Sequence, residues 1–323
     1  MARSVLSAPH FQDEAAAFAY VEAHLWPNGP TCPHCGNADA AKIGKLAGKT
    51  TRTGLRKCYE CGKPFTVRHG TIFESSHLAL HLWLQVIHLM CASKKGIATR
   101  QIQRMLQCSM KTAWFLGHRI REAMNGDGST PVGGEGHTVE IDETYVGGKE
   151  KNKHRDKRIP KEGKGPTSGK SPVFALVQRG GGVRAFHVPQ VNGANLAGIM
   201  AKNVARGTTV YSDENNTTQY AAGTFKRDHI KHQSGEYVRG DVHTNTVEGF
   251  FSILKRGITG VYHGVSEAHL QRYLAEFSHR YSNREALGID DTERASLVLK
   301  GVKGKRLTYE TTSRKRGTEA RTA

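Results

Sequence analysis

The chain has 323 residues, which leaves room for two or three domains and for at least one substantial hydrophobic core. It carries 47 Lys and Arg against 29 Asp and Glu, so its formal charge is +18 and its isoelectric point lies near 9.7. This balance points to a polyanionic partner such as nucleic acid, although a basic ribosome-associated protein would show the same charge.

The apolar and cysteine residues argue against two other classes of protein. The most apolar run, 78–92, is too short and too polar to span a bilayer, and the N-terminus has no apolar signal core. Four of the six cysteines fall in two C-x-x-C pairs, and Cys91 and Cys108 stand alone in apolar helical contexts. A membrane protein and a disulfide-stabilised secreted protein are both disfavoured, and the cysteines suit a reducing cytoplasm.

The first part of the chain has mostly helical patterns. Apolar residues at helical spacing predict a helix over 11–26, ahead of the cysteine-containing segment 31–68. A helical pattern then covers 73–124. The segment 125–136 is dense in glycine, which indicates a linker.

After the linker the apolar period changes from that of helices to that of strands. Four segments are predicted to be strands, with a glycine turn between the second and the third: 137–146, 171–178, 183–188 and 208–213. Helices are predicted over 195–205, 248–257 and 266–284. Strands alternating with helices, followed by a helical end, predict an α/β domain of about 150 residues.

Two basic segments lie outside this pattern. Residues 147–171 contain nine Lys or Arg against three acids and have no apolar face. They suit a loop that contacts phosphates and a solvated surface loop equally well. Residues 286–323 are expected to form a basic C-terminal tail, disordered from about 303.

Two cysteine knuckles have the spacing of a structural zinc site. TCPHCG (31–36) and KCYECG (57–62) each place two thiols three positions apart with a glycine directly after them, giving C-x2-C-x22-C-x2-C. Four thiolates complete a tetrahedron and leave no open position. The sequence therefore predicts one structural Zn²⁺ with four ligands: Cys32, Cys35, Cys58 and Cys61. A redox-active pair is the alternative, which the doubled knuckle disfavours.

Residues 96–124 contain a candidate helix-turn-helix that divides at 107–109. The apolar face of the second helix leaves four polar residues to point elsewhere: Lys111, Thr112, Arg119 and Arg121. This arrangement is typical of a major-groove reader, so we expect Lys111, Thr112 and Arg119 to lie near DNA. An ordinary helical pair within a core is the alternative.

The strand HTVEIDETYV carries three carboxylates, Glu140, Asp142 and Glu143. Residues two apart share a face of a strand, so Glu140 and Asp142 lie together. An unpaired carboxylate at mid-strand is costly to bury, and a divalent cation is the usual compensation for Asp142. We expect Glu143 at the surface, whereas Glu140 either supports the metal site or lies at the surface.

Two further acids occupy comparable positions. Asp213 ends an apolar strand, and 34 residues separate it from Glu248. Glu248 lies beside the apolar face of a helix, with Lys255 two turns beyond it on the same stripe. Asn245, three residues before Glu248, shares that side of the helix.

Two strand aspartates and a helix glutamate resemble the catalytic core of the DDE transposases. IDETYVGGKEKNKH, the SDEN strand end and HTNTVEGFFSILKRG, together with the cysteine knuckles, resemble the insertion-sequence transposases of the ISXO type over residues 15–285. The resemblance implies an α/β fold with an RNase H-like mixed-sheet catalytic domain over 137–285. An N-terminal helix with a zinc ribbon (1–70) and a helix-turn-helix region (71–125) would precede this domain.

The same resemblance implies a Mg-dependent DDE transposase, a polynucleotidyl transferase that nicks transposon ends and joins their 3′ hydroxyls to target DNA. Asp142, Asp213 and Glu248 would hold two Mg²⁺ (or Mn²⁺) ions, Lys255 would contact a phosphate, and Asn245 is an alternative metal ligand. The implied partner is double-stranded DNA, bound by a homo-oligomer in the cytoplasm at the nucleoid. Two alternatives stay open: a DNA-binding regulator with an inactive catalytic domain, and a related nuclease that cuts without joining.

Overall fold

The structure is a computed structural model that describes residues 4–126, 130–148, 154–157, 167–214, 217, 225–230 and 238–308. Most of the basic segment 147–171 and the tail beyond 308 lie outside the described residues. The chain divides into two compact units. Unit 1 comprises Met1–Ile87, Thr99–Ala123 and Ser296–Ala323, and unit 2 comprises His88–Ala98 and Met124–Ala295.

Unit 1 begins with two short helices and a small sheet. Helix α1 spans Pro9–Gln12 and α2 spans Glu14–Leu25. The helix predicted over 11–26 is interrupted at Asp13, whose Oδ1 accepts a hydrogen bond from the amide of Ala16 at 2.7 Å and so begins α2. An antiparallel sheet follows, with neighbouring strands in chain order: β1 (Ile43–Lys45), β2 (Arg56–Cys58) and β3 (Pro64–Phe65).

Three longer helices follow along the chain: α3 (Leu80–Ala92), α4 (Thr99–Leu106) and α5 (Met110–Met124). The continuous helical pattern predicted over 73–124 is wrong at 73–79 and 93–98, which are turns and loops. The predicted break at 107–109 is present, and the Oγ of Ser109 accepts a hydrogen bond from the amide of Thr112 at 3.0 Å to begin α5. Across the described part of the chain, every helix is too short or too polar to cross a membrane.

Unit 2 is built on a mixed sheet. Three consecutive strands form an antiparallel meander: β5 (Thr138–Val146), β6 (Ser171–Gln178) and β7 (Val183–His187). Two parallel strands extend it from the other edge of β5: β9 (Thr209–Ser212) and then β10 (Lys226–His229). The sheet order is therefore β10-β9-β5-β6-β7. The four predicted strands are confirmed, whereas β10 and a small parallel pair, β4 (Val132–Gly133) with β8 (Val204–Ala205), were not predicted.

Alternating side chains of β5 belong to two cores on opposite faces of this sheet. Val139 and Ile141 pack in the core that contains residues of α6 (Gly193–Asn203). Val146 belongs to the other core, which is filled by apolar residues of α7 (Asn245–Gly257) and α8 (Glu267–Ser282): Val247, Phe250, Phe251, Leu254, Leu270, Leu274 and Phe277. The alternation therefore directs Glu140 and Asp142 to the side that α7 covers.

The region expected to be a basic tail contains a further helix, α9 (Asp291–Lys300). The Oδ1 of Asp290 accepts a hydrogen bond from the amide of Glu293 at 2.8 Å, and Val298 and Leu299 near the end of the helix are buried. The prediction of a tail from 286 is therefore wrong over this helix, because the basic composition masked its short apolar face. Residues 301–308 are also described, and Val302 is fully buried.

Candidate functional site

The four predicted zinc ligands converge in unit 1: Cys32, Cys35, Cys58 and Cys61. Their Sγ atoms all lie within 4.8 Å of one another. Gly36 and Gly62 follow the two knuckles with φ of 77° and 71°, so each turn passes through the left-handed region that glycine tolerates best. A set of four thiols at this spacing fits one tetrahedral Zn²⁺.

The environment of one of these thiols favours the form that binds metal. Cys58 accepts hydrogen bonds from the backbone of Cys61 and from the Asn37 side chain, and these lower its pKa to about 6 despite its burial. The thiolate is the form of cysteine that binds zinc. These hydrogen bonds therefore favour the form of Cys58 that binds a cation.

The three residues predicted to contact DNA line one cavity of about 420 Å³ in unit 1. Lys111 and Thr112 are exposed in the first turn of α5. Arg119 is only 5% exposed. Its guanidinium donates to the carbonyl of Glu74 at 2.5 Å and lies 5.5 Å from the ring centre of Trp83. Arg119 is thus part of the cavity wall and not of an open helix face.

Arg121 was also expected to point away from the core, and this expectation is wrong. Its side chain is 1% exposed. The apolar face predicted for α5 is confirmed by the burial of Ala113, Leu116 and Ile120. Because α5 is buried on more than its apolar face, its exposed basic surface is concentrated in the first turn.

Asp142 lies on β5, and Asp213 directly follows the neighbouring parallel strand β9. The register between these two strands ends with Glu140 opposite Tyr211. The same register continued by two residues would set Asp142 opposite Asp213, on the side of the sheet that α7 covers.

Glu248 lies in the first turn of α7. It is exposed, and its Oε1 accepts a hydrogen bond from the hydroxyl of Thr244 at 3.0 Å. Asn245 is exposed at the first residue of the helix, and Lys255 is exposed two turns beyond Glu248. The predicted order of these three side chains along one helix is therefore present.

The Asp142 carboxyl lies where a negative charge is disfavoured. Burial, together with the negative charges of Asp213, Glu143 and Glu248, raises its pKa to about 8. Four carboxylates thus form one electrostatic cluster. Carboxylate oxygens are the ligands that Mg²⁺ prefers, so the donor set fits a divalent cation.

The acids are nevertheless spaced more widely than the thiols. Among the residues that the structure describes, the cysteine cluster is the one group in which three or more potential ligands lie within 4.8 Å of one another. Glu143, expected at the surface, is partly buried, and its amide donates to Asp142 Oδ1 at 2.7 Å.

Glu140 is a residue whose role the sequence left open. Its side chain is 0% exposed and forms an ion pair with Arg179, in the turn after β6, at 2.6 Å. It also accepts hydrogen bonds from the amides of Thr246 and Val247 at the start of α7, at 2.7 and 3.0 Å. Its position on the same face as Asp142 was the one sequence feature that pointed to this role, and nothing in the sequence indicated Arg179.

Comparisons with known proteins assign two parts of the chain to known domain families. Residues 12–64 match the transposase zinc-ribbon domain, and residues 133–282 match the ISXO2-like transposase domain. The zinc ribbon and the mixed α/β domain together define a transposase of the DDE class.

A relative from Halobacterium salinarum, described as an uncharacterized protein in transposable element ISH50, is 31% identical over 281 residues. The match covers 84% of this chain and 91% of the relative. The chain belongs to the ISXO2-like, zinc-ribbon family of insertion-sequence transposases. The resemblance noted from the sequence is thereby confirmed.

Proposed function

We propose that the chain binds the ends of its insertion element, nicks the DNA there and joins the released 3′ hydroxyls to target DNA. The observation that supports the proposal is that β5, which carries Asp142, pairs in parallel with β9, which Asp213 directly follows, in a sheet covered on one face by the helix of Glu248. Mutually repelling carboxylates on a buried face are costly without a cation. A protein that only bound DNA would gain nothing from them.

The residue types suit phosphodiester chemistry. Asp142, Asp213 and Glu248 would hold two Mg²⁺ or Mn²⁺ ions, which supply activation of the attacking oxygen and charge neutralisation at the leaving oxygen. Lys255 is suited to contact a phosphate, and Asn245 is the alternative ligand on α7.

We propose that the sheet of unit 2 is RNase H-like. The support is its mixed order, in which a three-stranded antiparallel meander is extended by two parallel strands, with helices packed on both faces. The proposed acids lie on the middle strand and directly after its parallel neighbour. A rigid sheet is a suitable support because side chains on paired strands keep a fixed separation.

DNA binding is proposed for the helix-turn-helix region and the basic surface around it. Lys111 and Thr112 are exposed at the start of α5, where the helix dipole also favours a phosphate. Arg119 is proposed to support this surface from inside the cavity, since its guanidinium already contacts Glu74 and Trp83. The formal charge of +18 suits double-stranded DNA, and we expect a homo-oligomer on that DNA at the nucleoid.

The test uses labelled duplexes carrying an element end, with a target plasmid and Mg²⁺. We expect Asp142→Asn, Asp213→Asn and Glu248→Gln to lose nicking and joining while end binding stays near that of the wild type, because the metals act in chemistry and the front region in recognition. Glu143→Gln, on the same strand, is the matched control and should have a mild effect.

Other outcomes would change the assignment. Nicked ends without joined products from the wild-type protein would indicate a nuclease. End binding without any cleavage would indicate a regulator. An Asp142→Asn protein that still joined ends in Mg²⁺ would contradict the assigned acids.

A further inference from the structure

Arg179 contacts all three elements that carry the proposed catalytic carboxylates. Its Nε donates to Glu140 at 2.6 Å, two residues before Asp142 on β5. Its guanidinium lies 4.9 Å from the ring centre of Tyr211, two residues before Asp213. Its remaining nitrogens donate to two carbonyls of the segment that leads into α7, at 2.7 and 3.0 Å: those of Asp241 and His243.

Glu140 connects β5 to the first turn of α7 through hydrogen bonds. Its carboxylate accepts hydrogen bonds from the amides of Thr246 and Val247 and from the Thr246 hydroxyl, the last at 2.8 Å. Amides in the first turn of a helix have no intrahelical partner, and the helix dipole favours a negative charge there. The N-cap residue, Thr244, makes no capping hydrogen bond with its own side chain. Glu140 therefore caps α7 from another element.

A hydrogen bond connects the start of α7 to Glu248, the third proposed metal ligand. The side chain of Thr244 is buried, and its hydroxyl donates to Glu248 and accepts no capping hydrogen bond from a helix amide. Because Glu140 takes over the capping of α7, the Thr244 hydroxyl is released to orient Glu248. The ion pair of buried Glu140 and partly exposed Arg179 thus connects to each of the three proposed metal ligands through one short path.

We propose that Glu140 and Arg179 are positioning residues that set the spacing of Asp142, Asp213 and Glu248 for metal ions. The proposal rests on the proposed function of this site. Burial of the Glu140 charge has a desolvation cost that an apolar side chain of the same volume would avoid, so stability alone is a weak reason to keep it. Directional hydrogen bonds fix the position of α7 along its axis and its rotation about that axis relative to β5. Apolar packing fixes neither as narrowly. Partners that orient metal ligands from behind alter metal affinity by about 10- to 100-fold when they are changed.

The test measures thermal unfolding of the full chain in EDTA and over a titration with Mn²⁺. The variants are Glu140→Gln and Arg179→Lys, and Asp142→Asn defines the loss of the site. Glu276→Gln is the matched control, because Glu276 is also 0% exposed and also paired with an arginine, Arg280, but lies on α8. Nicking of end DNA is measured over a Mg²⁺ titration in parallel.

We expect Mn²⁺ to raise the unfolding temperature of the wild-type protein and to have little effect on Asp142→Asn. In Glu140→Gln and Arg179→Lys, the Mn²⁺ concentration at half of the rise should increase about tenfold, as should the Mg²⁺ concentration for half-maximal nicking. Glu276→Gln should lower the unfolding temperature in EDTA but keep both metal midpoints. If Glu140→Gln fails to fold, Arg179→Lys carries the test, because it keeps the charge and loses the fork that reaches several partners.

Wild-type metal midpoints in both variants, with a lower unfolding temperature in EDTA as in the control, would overturn the proposal and leave a structural ion pair. Failure of the proposed function has a different result. In that case the wild-type protein would show the Mn²⁺-dependent rise, and Glu140→Gln would weaken it, yet no variant and no wild-type sample would nick DNA.

Discussion

His279 illustrates how a single buried group makes stability depend on pH. It lies on α8, and its Nε2 is 3.1 Å from the carbonyl oxygen of Arg294. Burial is the main reason that its pKa is lowered from an ordinary 6.5 to about 4. The charges of Arg280 and Arg294 contribute to this lowering, while the Arg294 carbonyl and the charge of Glu276 oppose it.

We predict that this histidine weakens the fold under mildly acidic conditions. The unfolded chain binds a proton near pH 6.5 and the folded chain only near pH 4, so the folded state loses relative stability as the pH falls through that window. The loss is at most about 3.5 kcal/mol, since one pKa unit corresponds to about 1.4 kcal/mol. Denaturant unfolding of the wild-type protein and of His279→Gln between these pH values measures it. The variant should have the shallower slope, and equal slopes would contradict the prediction.

The residue types alone did not indicate which charged side chains the fold buries. Glu140 and Arg119 are 0% and 5% exposed, and each depends on a partner far away in the sequence. Arg179 is 39 residues from Glu140, and Glu74 is 45 residues from Arg119. No periodic pattern reports such pairs. The zinc ligands could be predicted because their geometry depends on local spacing within each knuckle.

At the scale of elements, prediction followed the strength of the local pattern. β5, β6 and β9 alternate or run apolar over their whole length, so their existence was clear from the sequence. β10 has the sequence KRDH and no apolar residue, and it is held by pairing with β9 and by contacts of Arg239 with Asp228 and His229. Its existence depends on a neighbouring strand and not on its own composition. The same reason explains why the two-residue strands β4 and β8 were missed.

The packing of α7 against α8 gives a prediction for a matched pair of glycines. A Cβ at Gly257 would lie 2.3 Å from the ring of Phe277 and 2.7 Å from the carbonyl oxygen of Lys95. At Gly249, on the same helix, a Cβ would meet no atom within 4 Å. Gly257→Ala should lower the free energy of unfolding by about 1–3 kcal/mol through overpacking. Gly249→Ala should raise it by up to about 1 kcal/mol through helix propensity.

Denaturant unfolding of both variants checks this pair. The backbone carbonyl of Lys95 is a rigid neighbour, whereas a flexible side chain could move aside, so the loss at Gly257 should persist in any rotamer of Phe277. Equal effects of the two substitutions would show that α7 packs less closely against its surroundings than the glycine contacts indicate.

At the scale of the whole molecule, residues 302–304 pair with residues 70–72 within unit 1. The amide of Ile72 donates to the carbonyl of Val302 at 3.1 Å, and the amide of Gly304 donates to that of Gly70 at 2.8 Å. An N-terminal fragment ending at residue 124 would lack these partners. The sequence predicted the order of the modules. The return of the chain to unit 1 depends on backbone hydrogen bonds, which the amino-acid composition does not indicate. DNA binding is therefore best measured on the full chain.

The net charge gives a prediction for that measurement. Each phosphate neutralised by a lysine releases counterions, so the logarithm of the binding constant falls linearly with the logarithm of salt concentration, by about 0.9 for each phosphate contact. Lys111→Ala should reduce the magnitude of this slope by about one and weaken binding to all sequences, because a phosphate contact carries no base specificity.

Lys202→Ala is the control, since Lys202 is also exposed but lies on α6 in unit 2, on the sheet face opposite the acids. Fluorescence anisotropy of an element-end duplex across a salt series measures both slopes. A slope unchanged by Lys111→Ala, or reduced equally by Lys202→Ala, would show that the first turn of α5 does not contact the DNA backbone.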